Sequence, residues 1–269
     1  MLEKGLSGAM NAGIIGSGCE TIILAHGYGG DQSLWDKTLP YLTKHYRVLV
    51  FDWCFSGAIK DPNLFDPVKY SSYDAFANDL IALMDEMGLK SSVFVGHSMS
   101  GMIGCIASTK RPELFKRLVL VGASPRYLNA DDYEGGFKDS DIDDILSHIE
   151  ADYHNWASTF ASLVVDATDP TSVEKLTECL QRMRPDVALC LAKTVFCSDE
   201  RDILDKVMTP CTIIQTKRDI VVPDSVAHFM RERIKGSCTV EILDSTHGHL
   251  PHLTAPLQLV DVLVEVIGV

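Results

Sequence analysis

One short stretch, residues 93–101 (VFVGHSMSG), constrains the fold of this chain more than any other. A run of β-branched and aromatic residues ends in Gly96, and Ser98 follows at the start of a segment compatible with a helix. A strand, a sharp turn and a helix in this order are typical of a nucleophile elbow, where the turn lifts one serine hydroxyl clear of a sheet. Ser100 stands where the usual pattern has glycine, and it is small enough for close helix–strand packing. The stretch predicts acyl-transfer chemistry at Ser98.

The rest of the chain predicts an α/β fold built on a mostly parallel, doubly wound sheet. Six short apolar runs bounded by turns are predicted strands, namely residues 21–25, 47–51, 92–95, 117–121, 211–214 and 238–243. Continuous rather than alternating hydrophobicity is typical of parallel strands that helices cover on both faces. A helical period over residues 72–87 lies between two of these strands. Strand and helix in alternation predict this fold class.

The alternation stops after residue 121. Residues 125–196 contain helical periods but no convincing strand, and Pro170 and Pro185 divide the segment. The sequence therefore predicts a core of residues 1–124 and 197–269, and an all-helical cap of residues 125–196. Because α/β folds bind ligands at the carboxyl edge of the sheet, we expect the cap to cover that edge.

Composition excludes several classes of function. The formal charge of −13 over 269 residues disfavours binding to nucleic acid or to an anionic membrane. No stretch approaches the roughly 20 apolar residues of a membrane span, and residues 1–18 lack the apolar core of a secretory signal. Eight scattered cysteines without a C-x-x-C pair indicate free thiols in a reducing compartment. No motif predicts a metal, a nucleotide or a flavin, so we expect no cofactor.

A serine nucleophile needs a base and a carboxylate that orients it. Asp219 follows the predicted strand at residues 211–214 and is the candidate carboxylate, with Asp202 and Asp244 as weaker rivals. A loop aspartate that begins a turn is the ordinary interpretation of Asp219. Its position between the serine and the last histidines favours the catalytic interpretation.

The base of the predicted triad has more than one candidate. His247 and His249 both follow the last predicted strand, as the chain order Ser…Asp…His requires. Gly248 permits the loop conformation that would return either side chain to the elbow. We favour His249 and keep His247 open, with His252 a more distant alternative. His97, beside the nucleophile, is expected to pack against the site or to line it.

The segment His26-Gly27-Tyr28-Gly29-Gly30 directly follows the first predicted strand. A glycine-rich loop at this point can aim backbone N–H groups at a developing oxyanion, and the residue after the nucleophile supplies a second donor. This assigns the oxyanion hole to the N–H groups of Tyr28 and Met99. A dinucleotide loop is disfavoured because the G-x-G-x-x-G spacing is absent. A simple structural turn is the remaining alternative.

With these residues in place, the chain resembles the plant karrikin- and strigolactone-receptor branch of the α/β-hydrolases over nearly its whole length. Residues 27–35 are similar to the oxyanion loop of that branch, residues 96–104 to its elbow, and residues 248–251 to its histidine loop, which supports His249 over His247. Residues 124–129 and 133–137, at the start of the predicted cap, are closer to the karrikin-type members.

The resemblance implies a monomeric butenolide receptor of the cytoplasm and nucleus, which hydrolyses some ligands slowly beneath a four-helix cap. It further implies signalling through an F-box protein and a repressor that becomes ubiquitinated. By matching position, the ligand pocket would be lined by Tyr28, His97, Phe137, Ile145, Trp156, Phe160, Val195, Phe196 and Val221. Cap aromatics that merely pack on one another are the plain alternative.

Three departures from the resemblance leave ligand preference open. His247 stands where relatives usually carry an acidic or small polar residue, Tyr28 replaces a usual phenylalanine, and residues 51–57 diverge from a glycine-rich loop. The competing hypotheses are a metabolic carboxylesterase or lactonase, a bacterial stress-regulator hydrolase, and a non-catalytic binding protein with a vestigial triad. Haloalkane dehalogenase chemistry is disfavoured, because it uses an aspartate at the position of Ser98.

Overall fold

A computed structural model describes residues 5–268 of the chain, and of residues 245–247 the backbone only. Seven strands form one sheet in the order β1-β3-β2-β4-β5-β6-β7. The strands are β1 Gly13–Ile15, β2 Thr21–Ala25, β3 Arg47–Val50, β4 Ser92–His97, β5 Phe115–Val121, β6 Cys211–Arg218 and β7 Cys238–His247. All neighbouring pairs are parallel except β1 and β3. The predicted fold class is therefore confirmed.

Eleven α-helices connect or flank the strands within the described residues. They are α1 Leu6–Ala9, α2 Leu39–Leu42, α3 Tyr73–Glu86, α4 Met99–Lys110, α5 Asp139–Ala151, α6 Tyr153–Val164, α7 Pro170–Arg182, α8 Pro185–Cys197, α9 Asp224–Arg233, α10 Pro251–Thr254 and α11 Pro256–Ile267. Short 3₁₀ helices lie at Gln32–Trp35, Pro112–Leu114 and Arg201–Lys206. None of the helices in residues 5–268 is long and apolar enough to cross a membrane.

The core lies on both faces of the sheet because the side chains of each strand alternate between them. In β2, Ile23 packs into the cluster that holds the residues of α3 and α4, whereas Ile22 and Leu24 pack into a second cluster with α2 and α11. Both faces of the parallel strands are therefore apolar, which explains their continuous hydrophobic runs.

The four helices α5–α8, here called the helical insertion, lie between β5 and β6 in the chain. The prolines that divide this segment in the sequence begin helices, Pro170 in α7 and Pro185 in α8. A proline is tolerated there because the first turn of a helix lacks partners for its N–H groups anyway. Helix α8 ends at Cys197, one residue beyond the predicted end of the cap. The division of the chain into a core and a cap stays a prediction.

The sequence analysis missed the first strand. β1 has only three residues and pairs antiparallel with β3 at the edge of the sheet. A three-residue edge strand carries too short a hydrophobic pattern to be recognised from the sequence. Strands β4, β6 and β7 also run further than predicted, and β6 continues to Arg218, directly before Asp219.

Candidate active site

Ser98 occupies a strained turn between β4 and α4. Its backbone has φ 56° and ψ −126°, a conformation that costs a residue with a side chain on the order of 1–3 kcal/mol. Gly96 makes the turn possible, because a Cβ atom there would come within 2.6 Å of the backbone of Ser100. The Ser98 N–H donates to the carbonyl of Val121 in β5 over 2.8 Å, which ties the turn to the next strand. The structure thus has the strand–turn–helix geometry that the sequence predicts for an elbow.

Asp219 and His249 lie together at the carboxyl edge of the sheet. His249 Nδ1 donates to Asp219 Oδ2 over 2.7 Å, and the two side chains are almost wholly buried. The other carboxylate oxygen accepts the N–H groups of Val221 at 2.8 Å and Val222 at 3.2 Å. Because Asp219 holds the proton on Nδ1, the Nε2 atom of His249 keeps its lone pair for an incoming proton. This Nε2 atom has no hydrogen-bond partner among the described residues.

The rival residues lie elsewhere. Asp244 is exposed and forms an ion pair with Lys217, and Asp202 is exposed in a 3₁₀ helix. His252 is buried and stacks on the indole ring of Trp35, with 4.4 Å between ring centroids. The side chain of His247 lies outside the described residues. The partnership of His249 with Asp219 agrees with the preferred assignment.

The glycine-rich loop after β2 lies directly against the elbow. A Cβ atom added to Gly27 would come within 3.0 Å of Ser98 Cβ, so only a glycine backbone can approach so closely. Met99 is the first residue of α4, where N–H groups have no partner within the helix. Tyr28 follows Gly27 and Met99 follows Ser98, so the two residues with predicted oxyanion donors lie beside the elbow. The Tyr28 hydroxyl donates to the carbonyl of Ala188 in α8 over 3.0 Å, which joins this loop to the helical insertion.

Tyr127 is a site residue to which the sequence analysis assigned no role. Its hydroxyl shares a hydrogen bond of 3.2 Å with Ser98 Oγ, and burial raises the pKa of Tyr127 far above its usual value. A tyrosine 29 residues from the nucleophile gives no local signal in the sequence. In this structure the nucleophile hydroxyl therefore bonds to Tyr127 and not to His249.

The predicted pocket residues divide between two neighbouring cavities. A chamber of about 30 Å³ lies over Ser98, and of the predicted residues it is lined by Tyr28, His97, Phe160, Val195, Phe196 and Val221. The additional residues that line the chamber are Leu34, Tyr127, Leu176 and Leu250. The lining is mostly apolar, as a small-molecule site requires.

The second cavity is a groove of about 420 Å³ between α5 and α6. Phe137, Ile145 and Trp156 line this groove and not the chamber, whereas Phe160 and Val221 line both. The structure thus departs from the expectation of one pocket, because the side chains of Phe160 and Val221 separate the two spaces. Trp156 also stacks on Phe160 with 4.8 Å between ring centroids. These two side chains therefore pack on one another and line the groove at the same time.

Comparison with known proteins identifies the family. A family model described as the alpha/beta hydrolase family matches residues 22–262. The chain belongs to the alpha/beta hydrolase family. Among its relatives in this family is a strigolactone esterase of Arabidopsis thaliana, 44% identical over 263 residues that cover 98% of each chain. A karrikin insensitive 2 receptor of Petunia hybrida is 42% identical and covers 94% of this chain and 92% of the receptor.

A solved structure is equally informative about the fold. The structure of a hydrolase from Oleispira antarctica superposes with a TM-score of 0.93 at 31% identity, covering 97% of this chain and 96% of that one. The identities to the strigolactone esterase and the karrikin receptor confirm the resemblance to these proteins. The similar identities to the two kinds of relative do not separate them, so the closer likeness to karrikin-type members stays a prediction.

Proposed function

We propose that this alpha/beta hydrolase is a receptor for small butenolides and that it hydrolyses them slowly. The observation that carries the proposal is a strained Ser98 beside the His249–Asp219 pair, at the base of an apolar chamber that helices cover. The plant relatives named for strigolactone and karrikin support the ligand class.

In the proposed reaction, Ser98 Oγ attacks the ester or lactone carbonyl carbon while its proton passes to Nε2 of His249. Asp219 stabilises the imidazolium that forms, and the N–H groups of Tyr28 and Met99 donate to the oxyanion. His249 then gives the proton to the departing oxygen, which leaves an acyl group on Ser98. A water molecule, deprotonated by His249, releases the acyl group as the acid and restores Ser98.

Two features of the resting site support slow turnover. The Ser98 hydroxyl bonds to Tyr127, and exchanging this bond for one to His249 costs about 1 kcal/mol, a factor of about five in rate. The chamber of about 30 Å³ is also far smaller than the roughly 300 Å³ of a typical ligand pocket. We infer that ligand binding displaces Phe160 or Val221, which line both cavities, and so joins the chamber to the groove of about 420 Å³.

The finer parts of the proposal rest on the resemblance of the sequence motifs to the receptor branch. They are signalling through an F-box protein and a ubiquitinated repressor, action as a monomer, and a location in the cytoplasm and nucleus. A change in the helical insertion on ligand binding is the physical route by which a partner would sense occupancy, because the insertion covers Ser98.

A metabolic carboxylesterase or lactonase is the second candidate. The observation in its favour is the similarity to the Oleispira antarctica hydrolase, which extends over nearly the whole of both chains. Such an enzyme would release its product freely and turn over many times.

One experiment separates these possibilities: hydrolysis of a fluorogenic butenolide by the wild type and by Ser98→Ala, followed as product per protein molecule over time. We expect product to approach one equivalent quickly and then to form slowly in the wild type, and to be absent in Ser98→Ala. Sustained rapid turnover that requires Ser98 would favour the esterase. Equal signals from both proteins would contradict catalysis by Ser98 and favour a binding protein with a vestigial triad.

A further inference from the structure

His97 is the last residue of β4 and directly precedes Ser98. Its side chain is buried, with 4% of its surface exposed, and it lies among the other imidazoles of the site. The ring centroids of His97 and His249 are 4.8 Å apart, and those of His97 and His252 are 4.6 Å apart. His97 lines the chamber, and among the described residues no hydrogen bond joins it to Asp219.

A hydrogen bond joins this side chain to the backbone of the proposed base. His97 Nε2 lies 2.9 Å from the carbonyl oxygen of His249, and a carbonyl only accepts, so Nε2 carries the proton. Burial, with His252 and His249 close by, lowers the pKa of His97 well below its usual value. The ring is therefore neutral, and its single proton is committed to the carbonyl of His249.

The opposite edge of the same ring contacts the loop that holds the proposed oxyanion donors. A Cβ atom on Gly27 would come within 2.8 Å of His97 Nδ1, so the glycine backbone packs against the imidazole. One side chain thus touches both the loop before Tyr28 and the backbone of His249.

Three hydrogen bonds hold His249 in place. Its side chain donates to Asp219, its N–H donates to the carbonyl of Val164 at the end of α6 over 2.6 Å, and its carbonyl accepts from His97. Of these three bonds, only the one from His97 comes from the residue next to Ser98 in the chain. Because His97 and Ser98 are covalent neighbours, this bond sets the separation of nucleophile and base most directly.

We propose that His97 is a positioning residue for hydrolysis: its Nε2–H holds the backbone of His249 at the distance from Ser98 that proton transfer requires. The inference rests on the proposed function, since it assumes that Ser98 and His249 react. It assigns a role to a residue that the mechanism itself does not use.

The test compares variants that separate the hydrogen bond from the volume of the ring. His97→Phe keeps a ring but removes the donor, whereas His97→Gln places an amide N–H near the position of Nε2. The matched control is His252→Phe, because His252 is an equally buried neighbour whose ring nitrogens have no hydrogen-bond partner among the described residues. The saturating rate and the half-saturation concentration for the fluorogenic butenolide are measured for each protein, together with its thermal unfolding.

We expect His97→Phe to lower the saturating rate about 10- to 100-fold and to change half-saturation less than about threefold, because an error of 1 Å in a catalytic contact has this effect. His97→Gln is expected to recover most of that loss. His252→Phe is expected to stay within about threefold of the wild-type rate, since it loses no hydrogen bond.

A folded His97→Phe with the wild-type rate would overturn the inference. A His97→Gln as slow as His97→Phe would also overturn it, since restoring an N–H donor would then restore no activity. If His97→Phe does not fold, His97→Asn replaces it, because the shorter amide cannot reach the carbonyl. A wild-type signal equal to that of Ser98→Ala would instead overturn the proposed function. The two failures are therefore distinguishable.

Discussion

At the scale of single residues, the site combines a strained nucleophile with a competing hydroxyl. Ser98 is held at positive φ by the elbow, and its Oγ bonds to Tyr127 while Nε2 of His249 has no partner among the described residues. A hydrogen bond between neutral groups contributes about 1 kcal/mol. The Tyr127 hydroxyl therefore stabilises a resting state in which the nucleophile is hydrogen-bonded to Tyr127 and not to its base.

Removing this hydroxyl is expected to make Ser98 more reactive. We predict that Tyr127→Phe raises the rate of Ser98 acylation about two- to fivefold, the factor that corresponds to one neutral hydrogen bond. The measurement is the inactivation rate with a small fluorophosphonate, which needs little room in the chamber. Tyr153→Phe is the matched control, because its buried hydroxyl bonds to the carbonyl of Leu180 within the helical insertion. A slower reaction of Tyr127→Phe would show that the hydroxyl assists the attack.

At the scale of elements, the histidine loop and the helical insertion are joined through their backbones. Gly248 pairs with Val165 in an isolated antiparallel bridge, and the N–H of His249 donates to the carbonyl of Val164. Gly248 has φ 83°, and a Cβ atom there would lie 2.7 Å from the carbonyl oxygen of Val164. A side chain at this position would push the end of α6 away from the loop that carries His249.

The substitution Gly248→Ala tests this junction. We predict a lower melting temperature and a loss of hydrolysis of about tenfold or more, because the added methyl group displaces His249 as well as straining the backbone by about 1–3 kcal/mol. Gly88→Ala is the control, since Gly88 also has positive φ but a Cβ atom there would meet nothing within 4 Å. Equal rates of hydrolysis in the two variants would contradict a role for the junction in placing His249.

At the scale of the whole molecule, the helical insertion is joined to the rest of the chain by ion pairs as well as by apolar packing. Arg182 in α7 pairs with the buried side chain of Asp31, and Lys37 pairs with Asp169 before α7. Although burial raises the pKa of Asp31, hydrogen bonds from Ser33 and the charge of Arg182 outweigh it and hold that pKa below its usual value. Asp31 directly follows the oxyanion loop, so the pair with Arg182 fixes the insertion beside the proposed site.

Buried neutral histidines predict how stability depends on pH. Burial lowers the pKa values of His26 and His97, and that of His252 to about 3. Below about pH 6.5 these rings bind protons more readily in the unfolded chain than in the folded chain. The free energy of unfolding therefore has its full value above that pH and decreases as the pH falls. For His252, whose pKa falls to about 3, the loss at one pH unit below the unfolded pKa is about 1.4 kcal/mol.

The free energy of unfolding in urea at pH 7.5 and pH 5.5 measures this loss. The free energy of unfolding decreases from pH 7.5 to pH 5.5. We predict that this decrease is about 1.4 kcal/mol smaller in His252→Phe than in the wild type, because one ring that binds a proton in this range only in the unfolded chain has been replaced. A substitution of the exposed His228 to Ala serves as the control. A decrease in His252→Phe equal to that of the wild type would contradict the assignment of His252 as neutral in the folded protein.

The sequence by itself determined the elements that depend on local patterns. The apolar runs predict six of the seven strands, and the glycine before Ser98 predicts the elbow, because backbone conformation and hydrophobic period are properties of neighbouring residues. The chain order also placed Asp219 and the histidine loop at one edge of the sheet, since parallel strands end together.

Only the tertiary structure decided which side chains meet. The bond of Ser98 to Tyr127 and the contact of His97 with the backbone of His249 join residues far apart in the chain. The packing also places Val195 and Phe196 in the chamber but Ile145 and Trp156 in the groove. Such contacts depend on how elements distant in the chain pack together, and that packing has no period in the sequence. For the same physical reason, the sequence could name the members of a pocket but not divide them between a chamber and a groove.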